Sequence, residues 1–106
     1  MTIYLISQET YEELLQIQKQ YPVFTHNFQG YGGLDRSKFS EEEKAADARI
    51  NEILKTHIKD FRKFQNFCTS KSGELCLRFQ YDWSVSFTGV GYLKLTELLN
   101  GFENKD

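Results

Sequence analysis

The chain has little of what most chemistries need. Its 106 residues hold two histidines, two cysteines, one proline, one tryptophan and one methionine. Two cysteines cannot build a disulfide-rich scaffold, nor can they give zinc a four-ligand cluster. No metal or other cofactor is expected. The longest apolar run is a few residues, far short of the ~20 that span a bilayer, so no membrane helix is expected. Neither sign of charge dominates. Thirteen Lys and Arg face fifteen Asp and Glu, a formal net charge of -2. That balance argues against a direct nucleic-acid binder, which would show a basic stripe, and against a phosphate mimic, which needs a large acidic surplus. The segment Met1–Ile6 has no basic start and no small-residue cleavage site, so a signal peptide is not expected and a cytoplasmic location is.

What is present is apolar and aromatic. Leu, Ile, Val and Phe supply 29 residues, too many for a disordered chain. The length fits one domain. Residues 1–102 are expected to form it, with 103–106 as a fraying polar tail.

Periodicity gives the elements. Thr2–Ile6 reads as a first strand that pairs with a later one. Ser7 and the Thr10–Glu13 segment offer capping patterns for a helix from about residue 8 to about residue 20, which must stop before Pro22. Val23–Gln29 is ambiguous, and Gly30-Tyr31-Gly32-Gly33 is a loop. Ser40 followed by Glu43 is a capping box. The apolar residues beyond it, from Ala46 through Ile50, Ile53, Leu54, His57 and Ile58 to Phe61 and Phe64, recur at steps of three and four. This spacing predicts one long amphipathic helix from Glu41 to about Phe64. From Phe67 the period becomes two: Leu75, Leu77, Phe79 and Tyr81 alternate with polar residues, as do Val85 and Phe87. Gly89 and Gly91 inside the last strand mark a bulge or a close backbone approach. Leu95–Leu99 predicts a short helix ended by Gly101. The predicted fold is α+β, an antiparallel sheet of three to four strands with helices on one face.

Catalytic patterns are weak. His57 falls on the apolar stripe of the long helix, where a hydrogen-bonded core imidazole is the ordinary role, and His26 sits in a polar stretch. No serine lies in a nucleophile elbow. Cys68 and Cys76 flank a turn at Ser72-Gly73 and face one another if the loop has three residues. Free, partly buried thiols are expected there rather than a disulfide. The glycine loop lacks the Lys-Ser/Thr pair of a phosphate loop.

The remaining signal is a surplus of rings: sixteen residues are Phe, Tyr or Trp. Tyr31 lies in the glycine loop, and Tyr81, Asp82 and Trp83 lie where strands turn. Rings on loops are typical interface anchors, although capping the core is the more ordinary role for any one of them. The leading expectation is a non-enzymatic protein-binding module, a small inhibitor or immunity-type protein of the kind phages and mobile elements use in anti-defence. It would block a larger partner such as a nuclease or another nucleic-acid enzyme. Its candidate contacts are Tyr31, Asp35, Arg36, Asp82 and Trp83. Two alternatives stand beside it: a small enzyme or ligand binder using His57 or a cysteine in a helix–sheet pocket, and a nucleic-acid binder through Lys55, Lys59, Arg62 and Lys63. A homodimer through an exposed sheet edge is a further expectation.

Overall fold

A computed structural model describes residues 2–26 and 35–101. Helix α1 (Gln8–Gln20) starts where Ser7 accepts a hydrogen bond from the Thr10 backbone N–H, and it ends before Pro22. Pro22–Phe24 then forms one 3-10 turn that buries Phe24. A second such turn, Arg36–Lys38, leads to helix α2 (Glu41–His57), whose Ser40–Glu43 capping box is formed in both directions. Strands β1 (Phe61–Thr69), β2 (Leu75–Asp82) and β3 (Thr88–Lys94) follow as an antiparallel meander in the order β1-β2-β3. Helix α3 (Leu95–Asn100) continues directly from β3. The α+β class is as the sequence predicts, with three strands.

Two elements differ from expectation. Helix α2 stops at His57, seven residues before Phe64. Asp60 adopts a left-handed backbone with φ of 62°, which turns the chain from helix into strand; Asp tolerates that region better than most residues. Phe61 and Phe64 kept a helical step of three because β1 carries two irregularities, between Phe61 and Lys63 and between Phe64 and Asn66. Each adds a residue to β1, so Phe61, Phe64 and Phe67 pair with Tyr81, Phe79 and Leu77. Three residues of β1 therefore advance against two of β2, and the strand copies the spacing of a helix. Ile50, Ile53, Leu54 and Ile58 are buried as predicted, whereas Phe61 is half-buried at the edge.

The second difference is the first strand. Thr2–Ile6 is held by a single bridge, Ile3 with Ile58, and does not join the sheet. Its backbone is satisfied piecemeal: Tyr4 N–H donates to the His57 carbonyl, Lys59 N–H donates to the Thr2 carbonyl, and Ile6 N–H donates to the Leu98 carbonyl. The segment thus straps the end of α2 to α3.

The core lies between the helices and one face of the sheet. Phe24, Phe64, Phe67 and Phe79 are fully buried, with Leu14, Ile50, Leu54, Leu77, Leu93, Leu95 and Leu98 around them. Phe24 meets Phe39 and Phe64 edge-on, at 5.3 and 6.2 Å between centroids, the geometry that ring quadrupoles favour. Glycine serves this packing at one place above all. A side chain at Gly91 would put its Cβ 2.6 Å from the Phe79 ring, and one at Gly89 would lie 3.1 Å from Tyr81 and Trp83. The two glycines let these rings come close against β3, the close approach expected from the sequence.

Candidate functional site: the β2–β3 hairpin

The sheet's two edges are treated differently. On the β1 edge, Asn51 accepts from the Phe64 N–H, and Arg36 donates to the Phe64 and Gln65 carbonyls at 2.8 and 3.0 Å. Thr25 bridges to Phe67, whose carbonyl accepts from the His26 N–H. On the β3 edge no strand or bridge is found among the described residues.

The β2–β3 connection is the most apolar exposed part of the described molecule. Trp83 and Phe87 are each 60% exposed, and Val85 at the tip is fully exposed. Val90 and Tyr92 on β3 are also exposed, but on the opposite face of the sheet, where the Arg78 guanidinium lies 6.0 Å from the Tyr92 ring. Val85 and Phe87 are expected in a half-buried strand; instead β3 begins at Thr88 and they project from the turn. The turn is held by Trp83 N–H donating to the Phe87 carbonyl at 3.2 Å, with Ser84 and Phe87 exchanging weaker bonds. The Trp83 and Phe87 rings stack with centroids 5.3 Å apart and planes 22° apart. Trp83 also lies over Gly89. The tip is therefore shaped before any partner arrives, although it buries little.

At the base of the hairpin, Arg62 on β1 pairs with Asp82 at 3.2 Å, and the Asp82 N–H donates to the Asp60 carbonyl. Asp60, Arg62, Asp82 and residues 83–88 line an open groove of about 700 Å³. The site combines exposed rings with a rim carrying both charges, the composition of a protein-recognition surface.

The candidate contact residues separate in space. Asp82 and Trp83 lie at this groove. Asp35 and Arg36 lie at the opposite edge of the sheet, and both have internal partners. Asp35 accepts from the Ser37 N–H as an N-cap. Arg36 grips Asp47 through Nε at 3.1 Å and Nη2 at 3.3 Å, bonds two β1 carbonyls, and sits 5.8 Å from the Phe39 ring. Tyr31 lies outside the described residues. Sequence reasoning missed Val85 and Phe87. The serines on either side of Val85 were the available signal for a turn.

The groups behind the alternative readings are also placed. The His57 Nδ1–H donates to the Tyr4 carbonyl at 2.8 Å, so the ring helps fasten the N-terminal strap. Cys68 and Cys76 face one another across β1 and β2, unbridged. Burial pushes both thiols up, which disfavours the thiolate a nucleophile requires. Lys55, Lys59, Arg62 and Lys63 do not share a helix face, because α2 ends at His57 and the last two residues belong to β1. No group of three or more His, Cys, Asp or Glu among the described residues is placed to hold a metal ion. No described helix is long and apolar enough to cross a membrane. No family model, no curated protein and no solved structure matches the chain.

Proposed function

We propose that the protein is a non-enzymatic binding module that uses the β2–β3 hairpin to dock on a larger protein. The observation that carries this reading is the exposure of Trp83, Val85 and Phe87, three large apolar side chains at one turn, two of which stack on each other in solvent. Leaving such a cluster exposed opposes the hydrophobic effect, and contiguous exposed patches mark interaction sites. Trp is the residue most enriched at interface hot spots, and the Asp82–Arg62 pair at the rim supplies orientation. Steric occlusion by such a wedge suits an inhibitor or immunity-type protein acting in the cytoplasm, with a nuclease or another nucleic-acid enzyme as the target class. Affinity capture from the source cells tests the reading. Wild-type protein should retain one partner stoichiometrically, and Trp83→Ala with Phe87→Ala should lose it while remaining folded. Equal capture by the folded variant would refute it.

A further inference from the structure

Beyond the hairpin tip, the edge of β3 carries its own pattern. The Asp82 N–H points at β1, where it meets the Asp60 carbonyl. Backbone direction alternates along a strand. Odd-numbered residues of β2 therefore bond β3, through Tyr81 with Gly89, Phe79 with Gly91 and Leu77 with Leu93. The backbone groups of Thr88, Val90 and Tyr92 must then face outward. At the next such position, Lys94, the N–H is already taken by the Glu97 side chain at 2.9 Å. The open window is Thr88–Tyr92, five residues with Val90 at its centre.

We infer that two copies of this chain pair through their β3 edges, antiparallel about a two-fold axis at Val90, to form a continuous six-stranded sheet. The window is self-complementary. Thr88 of one copy meets Tyr92 of the other, Val90 meets Val90, and about six backbone hydrogen bonds close. Nothing on the strand opposes this. Residues 83–93 contain no charge and no proline, the devices that normally guard an edge. Gly89 and Gly91 leave the core-side face of the edge without side chains.

The area is sufficient for a weak dimer. In this register Phe87 comes beside Leu93 of the second copy. Phe87 and Tyr92 are 60% and 58% exposed, and Val90 is 43% exposed. At about 200 Å² per ring they offer roughly 300 Å² of apolar surface per copy. Interfaces are about 57% apolar, so if all of this surface were covered the two copies together would bury at most about 1,000 Å², near the lower bound for a specific interface. A concentration-dependent equilibrium follows.

Sedimentation equilibrium on the wild-type chain, from low micromolar to near-millimolar concentration, should show reversible monomer–dimer exchange. Val90→Lys places two like charges opposite one another on the axis and should weaken association at least about tenfold, with an unchanged circular dichroism spectrum. Val90→Cys should cross-link to itself under oxidised glutathione, since facing residues in a hydrogen-bonded pair have Cα atoms about 5.5 Å apart, within disulfide reach. Mass spectrometry should identify the 90–90 peptide. A strictly monomeric wild type, a dimer that survives Val90→Lys, or failure of the 90–90 link would each overturn the inference. Val90→Lys leaves Trp83, Val85 and Phe87 in place and should still capture the partner, so this inference and the partner reading fail independently.

Discussion

Replacing Arg36 by Ala should unfold the protein more readily without touching the recognition hairpin. Arg36 has three acceptors: the Asp47 carboxylate, the Phe64 carbonyl and the Gln65 carbonyl. Its side chain is 21% exposed and that of Asp47 is 17% exposed, so water only partly replaces what is lost. Each hydrogen bond to a charged group contributes about 1.5–3 kcal/mol, and the three are not additive. The expected cost is about 2–4 kcal/mol, since removal leaves a carboxylate and two edge carbonyls of β1 underpaired. For a domain of this size that lowers Tm by roughly 10–25 °C. Urea denaturation followed by far-UV circular dichroism measures it, with Asp47→Ala and the double variant closing a cycle. The double variant should cost less than the sum of the singles by about 1 kcal/mol or more. Arg36→Lys should recover only part of the loss, because an ammonium cannot reach all three acceptors in the geometry of the guanidinium fork. A loss below about 0.5 kcal/mol would refute the reasoning and leave Arg36 available to a partner.

Ile53→Ala removes a buried side chain of α2 and should cost about 2–5 kcal/mol in the same assay. Gly91→Ala drives a methyl group into the buried Phe79 ring and should cost about 1–3 kcal/mol. Gly73→Ala meets no atom within 4 Å, but φ of +85° strains it, and about 1 kcal/mol is expected. Hydrogen bonds from Arg49 hold the Glu13 carboxyl below the usual range. Its folded pKa therefore lies below the unfolded value of about 4.3, so the contact stabilises above that value and is lost as pH falls through the folded one. Both side chains are well exposed, so the effect is at most about 1 kcal/mol and salt weakens it. Stability measured against pH for Glu13→Gln should show a shallower acid limb than wild type. Alkylation of Cys68 and Cys76 in the native protein should be slow and leave partner capture unchanged, as thiol counting and capture together would show.

The parts of the fold legible in the sequence are those set by local chemistry. The Ser40–Glu43 box, the stop before Pro22, the alternation of Leu75–Tyr81 and the Cys68–Cys76 register all follow from residues close in sequence. The end of α2 was hidden because the irregularities of β1 place Phe61, Phe64 and Phe67 at a helical spacing on one face of a strand. Only the left-handed Asp60 separates the two readings, and an Asp carries no strong sign of it. Thr2–Ile6 has the composition of a strand, but its partners are scattered over α2, the turn after it and α3. The candidate site was half legible. Trp83 and Asp82 follow from rings at a strand turn. Val85 and Phe87 alternate like strand residues, so their exposure emerges only once β3 is seen to begin at Thr88. Arg36 has the composition of a loop contact, and only the tertiary structure supplies Asp47 and the β1 carbonyls as its partners.

Trp83 is the only tryptophan in the chain, so its fluorescence reports the hairpin tip directly. Titrating the purified partner into the protein, with excitation selective for tryptophan and a partner whose own emission is subtracted, tests the central claim. The expected result is a blue shift that saturates at a fixed stoichiometry as the exposed indole is buried, abolished by Trp83→Phe. Binding detected by calorimetry with no change in Trp83 emission would contradict it and place the interface on another face.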